Sequence, residues 1–80
     1  MTTADRELDV RGLQCPLPVL RARKILLSMR AGEVLCVLAD DPMAAIDLPH
    51  FCHENGHLHL GLTHLDGAQL HRIRRGPDRT

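Results

Sequence analysis

The sequence is almost without aromatic residues: Phe51 stands alone among its 80 positions, and tryptophan and tyrosine are absent. Its core must therefore be aliphatic, and the base-stacking platforms of single-strand nucleic-acid readers are excluded. It also lacks an excess of charge, since ten Lys and Arg balance ten Asp and Glu. No general field draws such a chain to phosphate backbones, so direct nucleic-acid binding is not expected. No apolar run approaches the ~20 residues of a membrane span, and no membrane partner is expected. The polar, charged start does not resemble a secretory signal. The three cysteines are an odd number, which no closed disulfide framework can use. Together these absences describe a reduced, cytoplasmic domain with a thiol left over. At this length a chain buries only about 60% of its unfolded surface, so the core is thin.

What is present alternates strand and helix across a single domain of residues 1–80. Its ordered core is expected over about 7–75, between polar tails at 1–6 and 76–80. Glu7 to Val10 alternates polar and apolar, as a short strand does. Pro16 opens a helix reaching about Met29, with Val19, Ala22, Ile25, Leu26 and Met29 on its core stripe and Gly32 as its stop. Val34 to Ala39 is a continuous apolar run, read as the central strand. Asp40-Asp41-Pro42 caps a second helical region. Pro49 is expected to divide that region into a turn from Met43 and a helix from about Leu48 to Asn55, capped by Asp47 and ended by Gly56. His57 to Leu65 and Ala68 to Arg75 flank Asp66-Gly67, a strong hairpin signal. The order β-α-β-α-β-β predicts an α/β (α+β) two-layer sandwich, with two helices on one face of a four-stranded mixed sheet.

The most informative stretch is Gly12-Leu13-Gln14-Cys15-Pro16-Leu17-Pro18. Cys15 directly precedes the predicted helix, where the macrodipole favours a thiolate, and Arg11, Arg21 and Lys24 are expected to add to that support. Pro16 and Pro18 remove amide donors but stiffen the mount of the sulfur. No histidine lies near in sequence to act as a base, and the domain is too small for a roomy pocket. A small transferable group handed between proteins suits these conditions. Leu17, Leu20 and Leu27 fall off the core stripe among Arg21, Arg23 and Lys24, a mixed apolar and basic face suited to docking a partner beside the thiol.

At these residues the chain resembles the TusA/SirA family of small sulfur-carrier proteins. Its landmarks are Leu8-Asp9, Gly12-Leu13, the C-P-x-P motif of Cys15 to Pro18, Lys24, Asp40-Asp41-Pro42, Asp47 to Cys52 and Gly56-His57, in order. The resemblance implies that Cys15 accepts sulfane sulfur as a transient persulfide, with no other cofactor, and relays it to an acceptor protein. It implies a cysteine desulfurase or a rhodanese-like protein as donor. The pathways it implies are tRNA thiolation, molybdenum-cofactor maturation or sulfur oxidation. Leu17 stands where the tRNA-thiolation type carries Glu, which bears on the pathway rather than on the carrier chemistry. A monomer suits such a shuttle. The alternative is a regulatory or redox-sensing interaction module built on the same thiol.

Cys36, inside the apolar strand, reads as a buried hydrophobe, while Cys52 either packs or serves as a second, resolving thiol. The hairpin register places His59 opposite Arg74 and on the face of Arg72, and puts His71 on the other face across from Leu62. Cations at those places oppose a divalent ion, and no metal site is expected. Arg72, Arg74, Arg75 and Arg79 form a basic end that is read as solvated.

Overall fold

The computed structural model of the chain describes residues 5–77. It contains β1 (Arg6–Asp9), α1 (Leu17–Leu27), β2 (Val34–Ala39), α2 (Ala44–Asn55), β3 (Leu58–Leu65) and β4 (Ala68–Arg74). The strands form one sheet in the order β1-β2-β4-β3. β1 runs parallel to β2, and the other pairs are antiparallel. Both helices cover the same side of the sheet, giving the two-layer mixed sandwich expected from the order of elements.

Alternation along the inner strands decides what is buried. Leu35, Val37 and Ala39 of β2 point to the helices and join Ile73 of β4 in an aliphatic core. From α1 the core takes Ala22 and Leu26, with Met29 just beyond the helix; Val19 and Ile25 of the expected stripe are only half-buried against it. Pro18 is fully buried as well. Cys36 and Leu38 face the uncovered side of the sheet. There Cys36 is nonetheless buried, with Glu7 and Arg72 as its cross-strand partners on either side.

The second helix differs from expectation. It runs unbroken from Ala44 to Asn55 with Pro49 inside it. A mid-helix proline costs ~3 kcal/mol through one lost amide bond and a ring clash. Against that, Ala44, Leu48, Phe51 and Cys52 lie on one face at helical spacing and are all buried. Burying a side chain the size of Leu or Phe contributes roughly 1.5–3 kcal/mol each, so packing outweighs the break. Asp47 therefore lies within the helix rather than capping it. Gly56, in the left-handed region at φ +75°, closes it as anticipated.

The ends of elements shift by a residue or two. α1 begins at Leu17, with Pro16 as its N-cap, and stops at Ser28, whose hydroxyl donates to the Ile25 carbonyl at 2.6 Å. Gly32 instead makes the turn into β2. Neither expected tail begins where composition placed it, although residues 1–4 and 78–80 lie outside the described ones. Arg6 is in β1, and the Asp5 carboxylate accepts from the Val34 amide at 2.8 Å. Gly76 is buried, its amide donating to His57 Nδ1 at 2.9 Å. A Cβ there would fall 1.8 Å from the Gly56 carbonyl oxygen, so only glycine permits the approach. Arg75 is buried too and donates from Nε to the Leu26 carbonyl at 3.0 Å, which removes it from the expected solvated basic end.

The hairpin also corrects the histidine register. Leu65 pairs with Ala68 as the Asp66-Gly67 turn requires, and Leu62 faces His71. A bulge between His59 and Gly61 then brings His59 opposite Ile73 instead of Arg74. His59 thereby joins His71 on the helix-covered face, where its Nε2 lies 2.8 Å from His71 Nδ1. His71 Nε2 in turn bonds Gln69 Oε1.

Two stability tests follow from this packing. Leu48→Ala removes a fully buried side chain from the face that holds α2 together. It should cost about 2–5 kcal/mol in urea unfolding. The second concerns His71, whose 0% exposure keeps its ring dry. Burial, reinforced by His59 and His64, pushes its pKa down to about 4 from the ordinary 6.5. Between those values the unfolded chain takes a proton that the folded one refuses. Stability from the neutral ring is therefore complete above about pH 6.5 and lost as pH falls toward about 4, a change on the order of 3 kcal/mol. Urea midpoints should be level from pH 7 to 8 and decline from pH 6.5 downward. A decline beginning only below pH 4 would contradict the assignment.

Candidate functional site

The two parallel strands place the loops that follow them side by side at one edge of the sheet. The first loop carries Cys15 and the second carries Asp40 and Asp41. In the first, Leu13 donates its amide to the Val10 carbonyl at 3.2 Å, closing a turn in which Gly12 takes φ +85°. A side chain at position 12 would be strained by that angle. The Cys15–Pro16 peptide bond is cis.

The second loop holds the first from outside. The Gly12 amide donates to Asp40 Oδ1 at 2.9 Å, and the Cys15 amide donates to Asp41 Oδ2 at 2.7 Å. Asp41 Oδ1 also accepts from the Met43 amide at 3.1 Å, in the turn leading into α2. Its own carbonyl accepts from Gln69 Nε2 of β4 at 2.8 Å. The two aspartates expected as a simple cap therefore grip the thiol loop, at sequence separations of 26 and 28 residues.

Cys15 is exposed, whereas Cys36 and Cys52 are buried. The environment of its thiol reverses the expected electrostatics: its pKa is raised, not lowered. The largest cause is a hydrogen bond to Asp47, followed by partial desolvation and by the negative charges of Asp47 and Asp41. The expected cationic support is missing from that set of causes for structural reasons. Arg11 is bound to Asp9, by Nε to Oδ1 at 3.0 Å and Nη2 to Oδ2 at 2.8 Å, and this pairing lowers the Asp9 carboxyl to about 2. Arg21 and Lys24 lie along a shallow depression with Leu8 and Ile25, between α1 and β1. The dipole argument weakens as well, because Pro16 intervenes between Cys15 and the first helical residue.

The rest of the expected site residues fall into two groups. Pro16 and Pro18 bracket the helix start, the first exposed and the second locked in the core. Leu17, Leu20, Arg21 and Lys24 are all exposed on one side of α1, at spacings of three and four, and Leu17 and Leu20 keep 42% and 51% of their surface accessible. They form a continuous apolar and basic stripe leading away from Cys15. Cys52 belongs to the core, and burial pushes its thiol up to about 11. A resolving role for it would require the core to open. Among the described residues, no three His, Cys, Asp or Glu side chains are placed to hold a metal ion, and no helix is long and apolar enough to cross a membrane.

Asp47 and the loop-gripping role of Asp40 and Asp41 were missed from sequence because nothing local marks them. The usable signal was topological: adjacent parallel strands place their following loops together, at the edge where open sheets present their sites.

Comparison with known proteins bears on the family and the fold. A sequence model of the sulfurtransferase TusA family matches residues 6–75. A putative sulfur carrier protein of Neisseria meningitidis serogroup A is 52% identical over 61 residues, covering 76% of this chain and 82% of that protein. The sulfur carrier protein TusA of Allochromatium vinosum is 48% identical over 56 residues, covering 70% of this chain and 74% of its own. The crystal structure of a SirA-like protein from Desulfitobacterium hafniense superposes with a TM-score of 0.80 at 30% identity, covering 89% of this chain and 97% of that one. With the fold, the exposed thiol and these matches together, the chain belongs to the TusA sulfurtransferase family, whose members include proteins named as sulfur carriers.

Asp47→Asn removes the thiol's carboxylate partner and one of the two charges that oppose its ionisation. Alkylation of Cys15 by iodoacetamide near pH 7 should become several-fold faster, with the midpoint of its pH profile moved down. An unchanged profile would show that Asp47 does not govern the thiol.

Proposed function

We propose that Cys15 carries sulfane sulfur as a persulfide and relays it between two partner proteins. The observation behind this reading is that one thiol of three is exposed, on a loop fixed by two carboxylates, in a chain of the TusA family. Loading is a thiol–persulfide exchange. The deprotonated Cys15 sulfur attacks the outer sulfur of a donor persulfide, the donor's S–S bond breaks, and its electron pair and a proton leave as the donor thiol. The product is Cys15–S–SH, and the same exchange in reverse sense delivers the outer sulfur to an acceptor thiol. No redox co-reactant is required.

Among the described residues none is placed as a base or cation that lowers the Cys15 thiol, which suits a carrier whose partner completes the site. A partner presenting cations against Asp41 and Asp47 would cancel the charges that keep the thiol protonated. The stripe of Leu17, Leu20, Arg21 and Lys24 is the docking surface in this reading, with Pro16 and Pro18 holding it in fixed relation to the sulfur. Donors of the desulfurase or rhodanese kind, and acceptors in tRNA thiolation, molybdenum-cofactor maturation or sulfur oxidation, fit the chemistry equally.

The direct test is mass spectrometry of the intact chain after incubation with a cysteine desulfurase and cysteine, or with a rhodanese and thiosulfate. An adduct of one sulfur atom is expected on the wild type, lost in Cys15→Ser and retained in Cys36→Ser. An adduct that survives Cys15→Ser, or none with either donor system, would count against the reading. Leu20→Ser should slow loading from the protein donor by an order of magnitude, as loss of an interface anchor does, while leaving alkylation of Cys15 by a small reagent unchanged.

A further inference from the structure

We propose that Gln69 and His71 are positioning residues for Cys15, acting through a line of hydrogen bonds that runs from the buried histidine pair to the thiol loop by way of Asp41. Its functional meaning rests on Cys15 being the transfer group, but the geometry does not.

The line is continuous. His59 Nε2 meets His71 Nδ1 at 2.8 Å, and His71 Nε2 meets Gln69 Oε1. Gln69 Nε2 donates to the Asp41 carbonyl at 2.8 Å, and Asp41 Oδ2 accepts the Cys15 amide at 2.7 Å. Asp41 is thus bound at its carbonyl from β4 and at its carboxylate by the loop it holds. Gln69 is 6% exposed and His71 not at all, so the inner bonds form where water cannot replace them.

Only one polarity satisfies every group when both rings are neutral. The Asp41 carbonyl can only accept, so the Gln69 amide must point its NH2 there and its oxygen toward His71. His71 must then donate from Nε2 and accept at Nδ1, and His59 must donate from Nε2. A proton added at His71 Nδ1 sets N–H against N–H unless His59 changes tautomer, and a second proton leaves no arrangement that keeps the ring-to-ring bond. A first proton on His59 Nδ1, outside the line, leaves every bond in place, whereas one on His71 Nδ1 disturbs the line at its root.

The surroundings offer little to absorb that charge. From β3 the groups facing His71 are His59 and His64, and both disfavour a further proton on it. The only titratable group on the buried face of α2 is the Cys52 thiol, pushed up to about 11 and so neutral here. The inward residues of β2, Leu35, Val37 and Ala39, and those of α1, Pro18, Ala22 and Leu26, are all apolar. The nearest negative charge along the line is the Asp41 carboxylate, beyond Gln69 and already engaged with the Cys15 and Met43 amides.

The test is NMR on the intact chain without any sulfur donor, so its outcome is independent of persulfide loading. In Gln69→Leu the Cys15 amide should exchange with solvent about tenfold faster, as loss of one supporting hydrogen bond allows. The Gly32 amide, bonded to the Arg75 carbonyl at 2.8 Å at the opposite edge of the sheet, reports whether the fold is intact and should be unchanged. In the wild type, the Cys15 amide shift should follow the ring signal of His71 rather than that of His59 as pH falls from 7.5 to 4. His59→Gln keeps a donor toward His71 but removes one imidazole, so the His71 midpoint should rise and the Cys15 transition should rise with it. A Cys15 transition that stays in place while the His71 midpoint moves belongs to a nearby carboxylate and overturns the proposal. So does a Cys15 amide unaffected in folded Gln69→Leu. If that variant loses Gly32 protection, the His59→Gln titration decides alone.

Discussion

Asp41 is the residue on which the architecture of this protein turns. Its carboxylate joins the Cys15 loop to the start of α2, and its carbonyl is held by β4. Three parts of the chain far apart in sequence thereby meet at one side chain and one peptide unit. The partners are the backbone amides of Cys15, Met43 and Ala44 and the side-chain amide of Gln69, all donors of fixed direction. Besides the packing of Leu13 against the core, the loop's place relative to the sheet is set from this point and from the neighbouring Asp40–Gly12 bond.

Asp41, which helps fix the loop, also makes the thiol harder to ionise, alongside the larger effect of Asp47. Position and reactivity thus pull in opposite directions, and a solitary nucleophilic enzyme would need a cation or base to resolve the conflict. In a shuttle the conflict is useful. A thiol kept protonated in the free protein resists stray alkylation and oxidation, and under the proposed relay it would become a nucleophile where a partner's cations met Asp41 and Asp47. The basic and apolar stripe of α1 begins next to Cys15, so docking and ionisation can occur in the same encounter.

The fold was largely legible because the short-range signals agree with one another. The alternation around Leu8, the uninterrupted apolar run of β2, the proline at the start of α1 and the Asp66-Gly67 turn each specify a local state, and only one simple sheet accommodates them all. Cys15 was legible from its motif, and the outward position of Leu17 and Leu20 from helical spacing. What could not be read were features decided by distant contacts. Pro49 breaks a helix in isolation but not one whose Leu48, Phe51 and Cys52 are sealed against a sheet. Arg75 looks like a surface cation until its guanidinium reaches the open end of α1. The thiol's electrostatics follow spatial neighbours rather than sequence neighbours: Arg11 lies close along the chain but is tied to Asp9, while Asp47 is distant along the chain and adjacent in space.

The bulge in β3 follows the same rule, since no turn or propensity signal marks it. Leu60 is the unpaired residue between His59 and Gly61, and the pairs on either side, with Ile73 and Arg72, are already adjacent on β4. A chain shorter by that one residue would keep every cross-strand partner, whereas a deletion elsewhere in β3 would turn part of the strand inside out. Position 60 is therefore a place where evolution or an engineer can change the length of this protein without uncoupling the histidines from the sheet interior.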